Sequence, residues 1–312
     1  MGIYETAFPG RIRSCYVEGS YADGTELTTS DIDLTLVFKD RFTSAAEHEH
    51  AMRLAEHCAA VSSVEIDIQL ADEAELAKGV YPAIKFASRC VYGEDRRAEL
   101  SVLPIEEWSR QRMHAAYWLL VMVFNRKPVV APPLDYPDPA ADFFGYTQRT
   151  VRVPTGTAVA STRNLIRVTG WIATALLAWR TRVYVARKSD CHHVYRHHIG
   201  DEWVPFLEDM YGRCRRAWGY LIPTDAAERH ELRDLCVRAL QFENHFLRIY
   251  RDYVLTQLGT DAEEAPLRAL QFLEQIPYCD EHVRLAIQTI ADGDDTGLRD
   301  AARRAYAAFA RC

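Results

Sequence analysis

Asp31 and Asp33 stand one residue apart at the start of an alternating stretch, DIDLTLVF, residues 31–38. Residues i and i+2 of a strand share a face, so the two carboxylates lie roughly 7 Å apart on one side of it. Like charges this close are costly unless something cationic sits between them. A second alternating stretch, VSSVEIDIQL, residues 61–70, puts Glu65, Asp67 and Gln69 on one face and Val64, Ile66, Ile68 and Leu70 on the other. If the two strands are neighbours, a third carboxylate joins the pair, from either Asp67 or Glu65. Three hard oxygen donors suit Mg²⁺ rather than Zn²⁺, which makes Asp31, Asp33 and Asp67 the candidate metal ligands. Just upstream, Gly19-Ser20 forms a small-residue turn. Glycine permits close approach by a phosphate, and the Ser20 hydroxyl with the following backbone N–H groups can bond its oxygens. A phosphate cradle beside clustered acids points to metal-assisted transfer of a nucleotidyl or phosphoryl group.

Positioning these groups requires a small sheet. Residues 13–18 (RSCYVE) are expected to form the first strand, followed by the Gly-Ser turn and a polar segment, 21–30, suited to a turn or one short helix. A helix is expected over 45–60 between the two acidic strands. Residues 72–89 read as helical, interrupted at Gly79 and Pro82, and 89–97 as a short strand or turn. Residues 106–126 form a mostly buried helix. The stretch from 127 to 146 holds five of the thirteen prolines and excludes regular helix. Beyond residue 154 the pattern is mostly helical, over 157–187, 201–220, 225–258, 265–274, 280–290 and 296–310. The expected division is an α/β unit over 1–150, including the long helix and the proline-rich crossing, and a helical unit over 151–312.

Totals narrow the class further. A formal net charge of -7 over 312 residues, with no basic stripe, argues against extended nucleic-acid binding and is compatible with a small cationic substrate. Eight cysteines without a C-x-x-C pair, behind a start (MGIYETAFPGR) that lacks secretory features, read as reduced thiols in a cytoplasmic protein. The longest apolar run, AAYWLLVMVF at 115–124, is too short to span a bilayer. Monomer and homodimer both remain open.

The string GSYADGTELTTSDIDL resembles the signature of the DNA-polymerase-β-type nucleotidyltransferase superfamily, in the form seen in its small-molecule branch: Gly19, Ser20, Gly24, Ser30, Asp31 and Asp33. The resemblance implies an α/β nucleotidyltransferase domain with a short mixed sheet, followed by an all-helical domain. It assigns the paired acids to one or two Mg²⁺ ions and Gly19, Ser20 and Ser30 to the triphosphate of ATP or another NTP. The third carboxylate is then a metal ligand or the group that activates the attacking hydroxyl. Asp67 has the setting common in the superfamily, whereas Glu65 resembles the catalytic glutamate of the streptomycin/spectinomycin adenylyltransferase branch. Members usually carry a helix before the first strand; with only about a dozen residues ahead of Arg13, that helix is expected to be short or missing. VYGED, residues 91–95, and the segment from Ser161 to Trp203, with Arg163, Asn164, Lys188, Tyr195 and Trp203, are similar to the same branch. That branch often reads Ser-Lys where this chain has Arg187-Lys188-Ser189.

The resemblance implies AMP transfer to a hydroxyl of an aminoglycoside-like acceptor. Transfer to RNA, nucleotides or a protein, and an inactive nucleotide-binding relative, are the alternatives. Charge builds on the leaving pyrophosphate and needs cations, for which Lys188 and Arg187 at a helix end are the candidates. His193 and His197 in CHHVYRHH do not make a zinc site, since Cys191 falls on another face.

Overall fold

The computed structural model describes residues 1–126, 130–153, 155–260 and 264–312. A short helix α1 (Gly2–Ala7) leads into strand β1 (Ile12–Glu18), and Gly19 turns the chain into the one-turn helix α2 (Ser20–Asp23). Strand β2 (Ile32–Phe38), helix α3 (Ala45–Val61) and strand β3 (Ile66–Asp72) follow. Two short helices, α4 (Glu73–Leu76) and α5 (Pro82–Ala87), precede strand β4 (Arg89–Gly93). The four strands form one mixed sheet in the order β3-β2-β1-β4. β1 runs antiparallel to β2 and β4, and β2 runs parallel to β3 through the α3 crossover.

Period-two alternation gives this sheet two packed faces. On one, Leu36 and Phe38 meet Tyr4 and Phe8 from the leading segment and Ala51 of α3. On the other, Tyr16, Val37 and Ala71 meet Leu76, Val80 and Ile84 from the α4–α5 region. The acids occupy the open end of this second face. Strand β3 starts later than the sequence pattern implied, at Ile66 rather than Val61. Helix α3 runs on through Val61, and the Ser62 hydroxyl accepts from Val64 N to turn the chain.

The remainder is mostly helical. It begins with α6 (Ile105–Met122), whose Trp108, Met113, Tyr117 and Leu120 are buried in the same core as the helices that follow. The expected proline-rich crossing begins at residues 127–129, outside the described residues. Downstream of it, β5 (Thr150–Arg152) and β6 (Ala158–Ala160) make a small hairpin that the sequence reading took in part for helix. Gly156, at φ +82°, supplies its turn. The helical series is α7 (Arg163–Thr181), α8 (Cys191–His198), α9 (Val204–Asp209) with a π-helical continuation over Met210–Ala217, α10 (Ala226–Leu258), α11 (Glu264–Gln275), α12 (Glu281–Ala291) and α13 (Thr296–Ala308). No helix among the described residues is long and apolar enough to cross a membrane.

One expectation is corrected. The thiols are not all reduced, because Cys279 and Cys312 are joined by a disulfide. The α12–α13 hairpin returns the C-terminus to the residue ahead of α12, a proximity the cysteine spacing alone does not reveal. The other six cysteines are free.

Candidate active site

Gly19 links β1 to α2 at φ 66° and ψ -145°, a conformation suited to glycine. A Cβ built there would lie 3.0 Å from Asp33 Oδ2, so the turn and the acid are in direct apposition. Ser20 opens α2, where first-turn N–H groups have no intrahelical acceptor. Ser30 sits differently from its expected phosphate-facing position. It is buried, and its hydroxyl accepts from Leu27 N at 2.9 Å, so it braces the loop ahead of Asp31. That loop is tied to the helical unit by Arg215, which donates to Thr25 O at 3.0 Å, and by Thr29, which donates to Gly219 O at 3.1 Å.

The register of the sheet places three acids in a row. Asp33 on β2 is paired with Asp67 on β3 and, on its other side, with Glu18 on β1. Glu18 was missed by the sequence reading. Its neighbours in RSCYVE do not alternate cleanly, and only the antiparallel pairing brings it opposite Asp33. Burial raises its pKa, and Asp33 and Asp67 push the same way, against a hydrogen bond from the Thr35 hydroxyl and the charge of Lys188. Burial also raises the pKa of Asp33; Lys188 opposes this, and Asp31 and Asp67 add to it. Both shifts come first from burial, with repulsion between the neighbouring carboxylates adding to it.

The two candidates for the third carboxylate have different surroundings. Glu65, just ahead of β3, is held by Arg149 and by Arg163, whose Nη1 lies 3.1 Å from Glu65 Oε2. Arg163 is buried at the start of α7 and also pairs with Asp31. Asp67 makes no ion pair among the described residues and sits beside Asp33 in the row.

Lys188 and Arg187, from the loop after α7, do reach the N-terminal unit. Lys188 Nζ lies 3.8 Å from Asp33 Oδ2, and Arg187 Nε lies 2.8 Å from Asp23 Oδ1. Arg167, one turn beyond Arg163, is within electrostatic range of Asp31 and Asp33; burial, then the charge of Arg149, lowers its pKa. Arg149, Arg163 and Arg167 were not foreseen as one cationic group, because they converge only when α7 docks on the sheet.

Among the described residues no group of three or more His, Cys, Asp or Glu side chains converges as a metal cage. Asp31 is turned to Arg163, which leaves Asp33 and Asp67 as the adjacent pair. This donor set still fits Mg²⁺, which is commonly held by one or two carboxylates together with substrate phosphates.

A glycine turn thus lies against a row of sheet carboxylates, faced by basic residues from the helical unit. Residues 4–92 match the family model described as a nucleotidyltransferase domain. The N-terminal part of the chain is therefore a nucleotidyltransferase domain with a four-stranded mixed sheet, and a mostly helical region follows it. That match supports, as a general class of chemistry, transfer of a nucleoside monophosphate from an NTP. A comparison with curated proteins returned no match.

Proposed function

We propose that the protein transfers a nucleoside monophosphate, AMP from ATP in the first instance, to a hydroxyl of a small molecule with Mg²⁺. The observation that carries this reading is the paired Asp33 and Asp67 beside the Gly19-Ser20 turn, with Lys188 and Arg163 facing them. Asp33 and Asp67 would hold the ion, with Asp31 added once Arg163 turns to phosphate. A bound Mg²⁺ neutralises charge on the phosphates and acidifies a coordinated hydroxyl. The α2 turn and Ser20 hold the β- and γ-phosphates, and Lys188 offsets charge on the departing pyrophosphate. Asp67, open to the groove, accepts the proton of the attacking hydroxyl. Glu65, held by two arginines, positions Arg163 instead. The choice of adenine and of an aminoglycoside-like acceptor rests on the resemblance of the motifs to the streptomycin/spectinomycin branch.

Each α-labelled NTP is incubated with Mg²⁺ and separate panels of aminoglycosides, other hydroxyl compounds, RNA and the protein itself. Labelled product is expected in a small-molecule pool. Asp33→Asn should reduce pyrophosphate release by about 10²–10³-fold, the scale of losing a preorganised electrostatic group. Unchanged turnover in that variant sinks the proposal, and label only in RNA or protein reassigns the acceptor.

A further inference from the structure

Directly beside the acid row lies a cavity of about 650 Å³. Its sheet end is lined by Thr35 and Gln69. These are the residues two positions on from Asp33 and Asp67, on the same face and roughly 7 Å further along each strand. The cavity extends to Arg110 and Gln111 of α6 and Arg268 of α11, and shares these three and Tyr81 with an adjoining cavity of about 570 Å³. The second cavity adds Arg112, His114 and the exposed Trp118 to its wall, and among the described residues no acidic one lines it.

The charges in this wall are arranged unevenly. Glu107 is fully engaged: its carboxylate accepts from Arg110, from Gln111 at 2.6 Å and from Arg268 at 3.0 Å. It therefore fixes two guanidinium groups along the cavity; Arg268 is also paired with Glu264 at 2.5 Å, and Glu75 is the other acid among the described residues that line the first cavity. Arg112 makes no ion pair among the described residues. Its guanidinium is stacked between Tyr81, at 4.8 Å, and Trp171, at 4.4 Å from the ring centroids. Three buried polar atoms in the same wall have no hydrogen-bond partner: Arg112 Nε, Gln111 Oε1 and His114 Nε2. Buried polar groups are rarely left unpaired, and these belong to residues that line a cavity large enough for a monosaccharide-sized ligand.

We propose that this double cavity is the acceptor site, and that the acceptor is a hydroxylated small molecule bearing a compact oxyanion, carboxylate or phosphate, that Arg112 receives with Arg110 and Arg268. Gln111 Oε1 takes a hydrogen bond from an acceptor hydroxyl, and Trp118 offers an apolar platform at the mouth. A second hydroxyl, at the Thr35–Gln69 end, is the one presented to the phosphate held at Asp33 and Asp67. In the transfer its oxygen bonds to the α-phosphorus, the bond to the β-phosphate oxygen breaks, pyrophosphate leaves with that electron pair, and the hydroxyl proton passes to Asp67. This inference rests on the nucleotidyl-transfer reading and departs from the aminoglycoside-like acceptor that the resemblance of the motifs implies.

The test is calorimetric titration of the full chain, its nucleotide site filled with a non-hydrolysable NTP and Mg²⁺. The titrants are glucose 6-phosphate, gluconate and, as the cationic arm, streptomycin. Binding of one or both anionic probes is expected, the two arms separating phosphate from carboxylate. Arg112→Gln should weaken that binding at least tenfold. Arg268→Ala, at a half-exposed position, should weaken it several-fold with an unchanged circular dichroism spectrum. Binding of streptomycin alone, or anion binding that both variants leave unaltered, overturns the proposal. A separate assay of labelled NTP transfer distinguishes the two readings. Anion binding at Arg112 without transfer to any acceptor counts against nucleotidyl transfer but not against the anion site.

Discussion

At the scale of single residues, the site depends on how closely the chain approaches itself at Gly19. The turn must bring backbone to a phosphate while leaving room for Asp33, and both demands fall on the missing side chain. In Gly19→Ala the methyl group would sit 3.0 Å from Asp33 Oδ2, on a backbone at φ 66° and ψ -145°. The expected outcome is a loss of about 1–3 kcal/mol in urea-denaturation stability, the usual cost of such a conformation for a non-glycine residue. Pyrophosphate release should fall as well, because Asp33 is displaced. Gly24 is the internal control. It has φ 66° and ψ 29°, with nothing within 4 Å of a built Cβ. Asparagine tolerates that left-handed conformation, so Gly24→Asn should keep both stability and activity close to those of the parent. Equal damage from both substitutions would show that the turn needs flexibility, not the clearance at Asp33.

At the scale of elements, the parts legible in the sequence are those whose information is local. β2 and the acidic half of β3 show period-two alternation, so Asp31, Asp33, Glu65 and Asp67 were found with their faces assigned. The β5–β6 hairpin was readable in principle from Val151, Val153, Val159 and Gly156, but the helical pattern after residue 160 obscured it. Glu18, the convergence of Arg149, Arg163 and Arg167, and the cavity beside Thr35 depend on register and docking between distant segments, which no local pattern encodes. The same holds for the disulfide. It fixes the ends of the α12–α13 hairpin across 33 positions of sequence. Closing a loop of that length removes entropy from the unfolded chain worth about 3–4 kcal/mol. Reduction, or Cys312→Ser, should therefore lower the denaturation midpoint of the helical unit. A midpoint insensitive to reductant would show that α13 is held by packing of Ala301, Ala302 and Ala305 alone.

At the scale of the whole molecule, helix α6 joins the cavity wall to the helical core. It carries Arg110, Gln111 and Arg112 toward the cavity and buries Trp108, Met113 and Tyr117 in the helical core. His114 lies at the meeting point. Its Nδ1 is 2.8 Å from the Tyr250 hydroxyl on α10, and its ring stacks on Phe272 of α11 at 4.2 Å. Burial, aided by the charge of Arg110, pushes its pKa from 6.5 down to about 3. The unfolded chain takes up a proton near pH 6.5 and the folded chain not until about pH 3. Between those values the unfolded state binds more protons, so stability falls as pH falls, by about 1.4 kcal/mol per pH unit for one such group. Glu18 and Asp33, whose pKa values are raised, act in the opposite sense, because the folded state holds their protons more firmly and gains stability on acidification. His192, pushed down to about 4 by burial, adds to the loss. A comparison between proteins differing only at His114 cancels these other groups. Urea unfolding of the parent and of His114→Gln, whose amide keeps a hydrogen-bonding group near Tyr250, should show a smaller loss of stability from pH 7 to pH 5 in the variant. Identical slopes would mean that His114 is protonated within the fold, and that the core shared by α6, α10 and α11 admits a charge beside the proposed anion site.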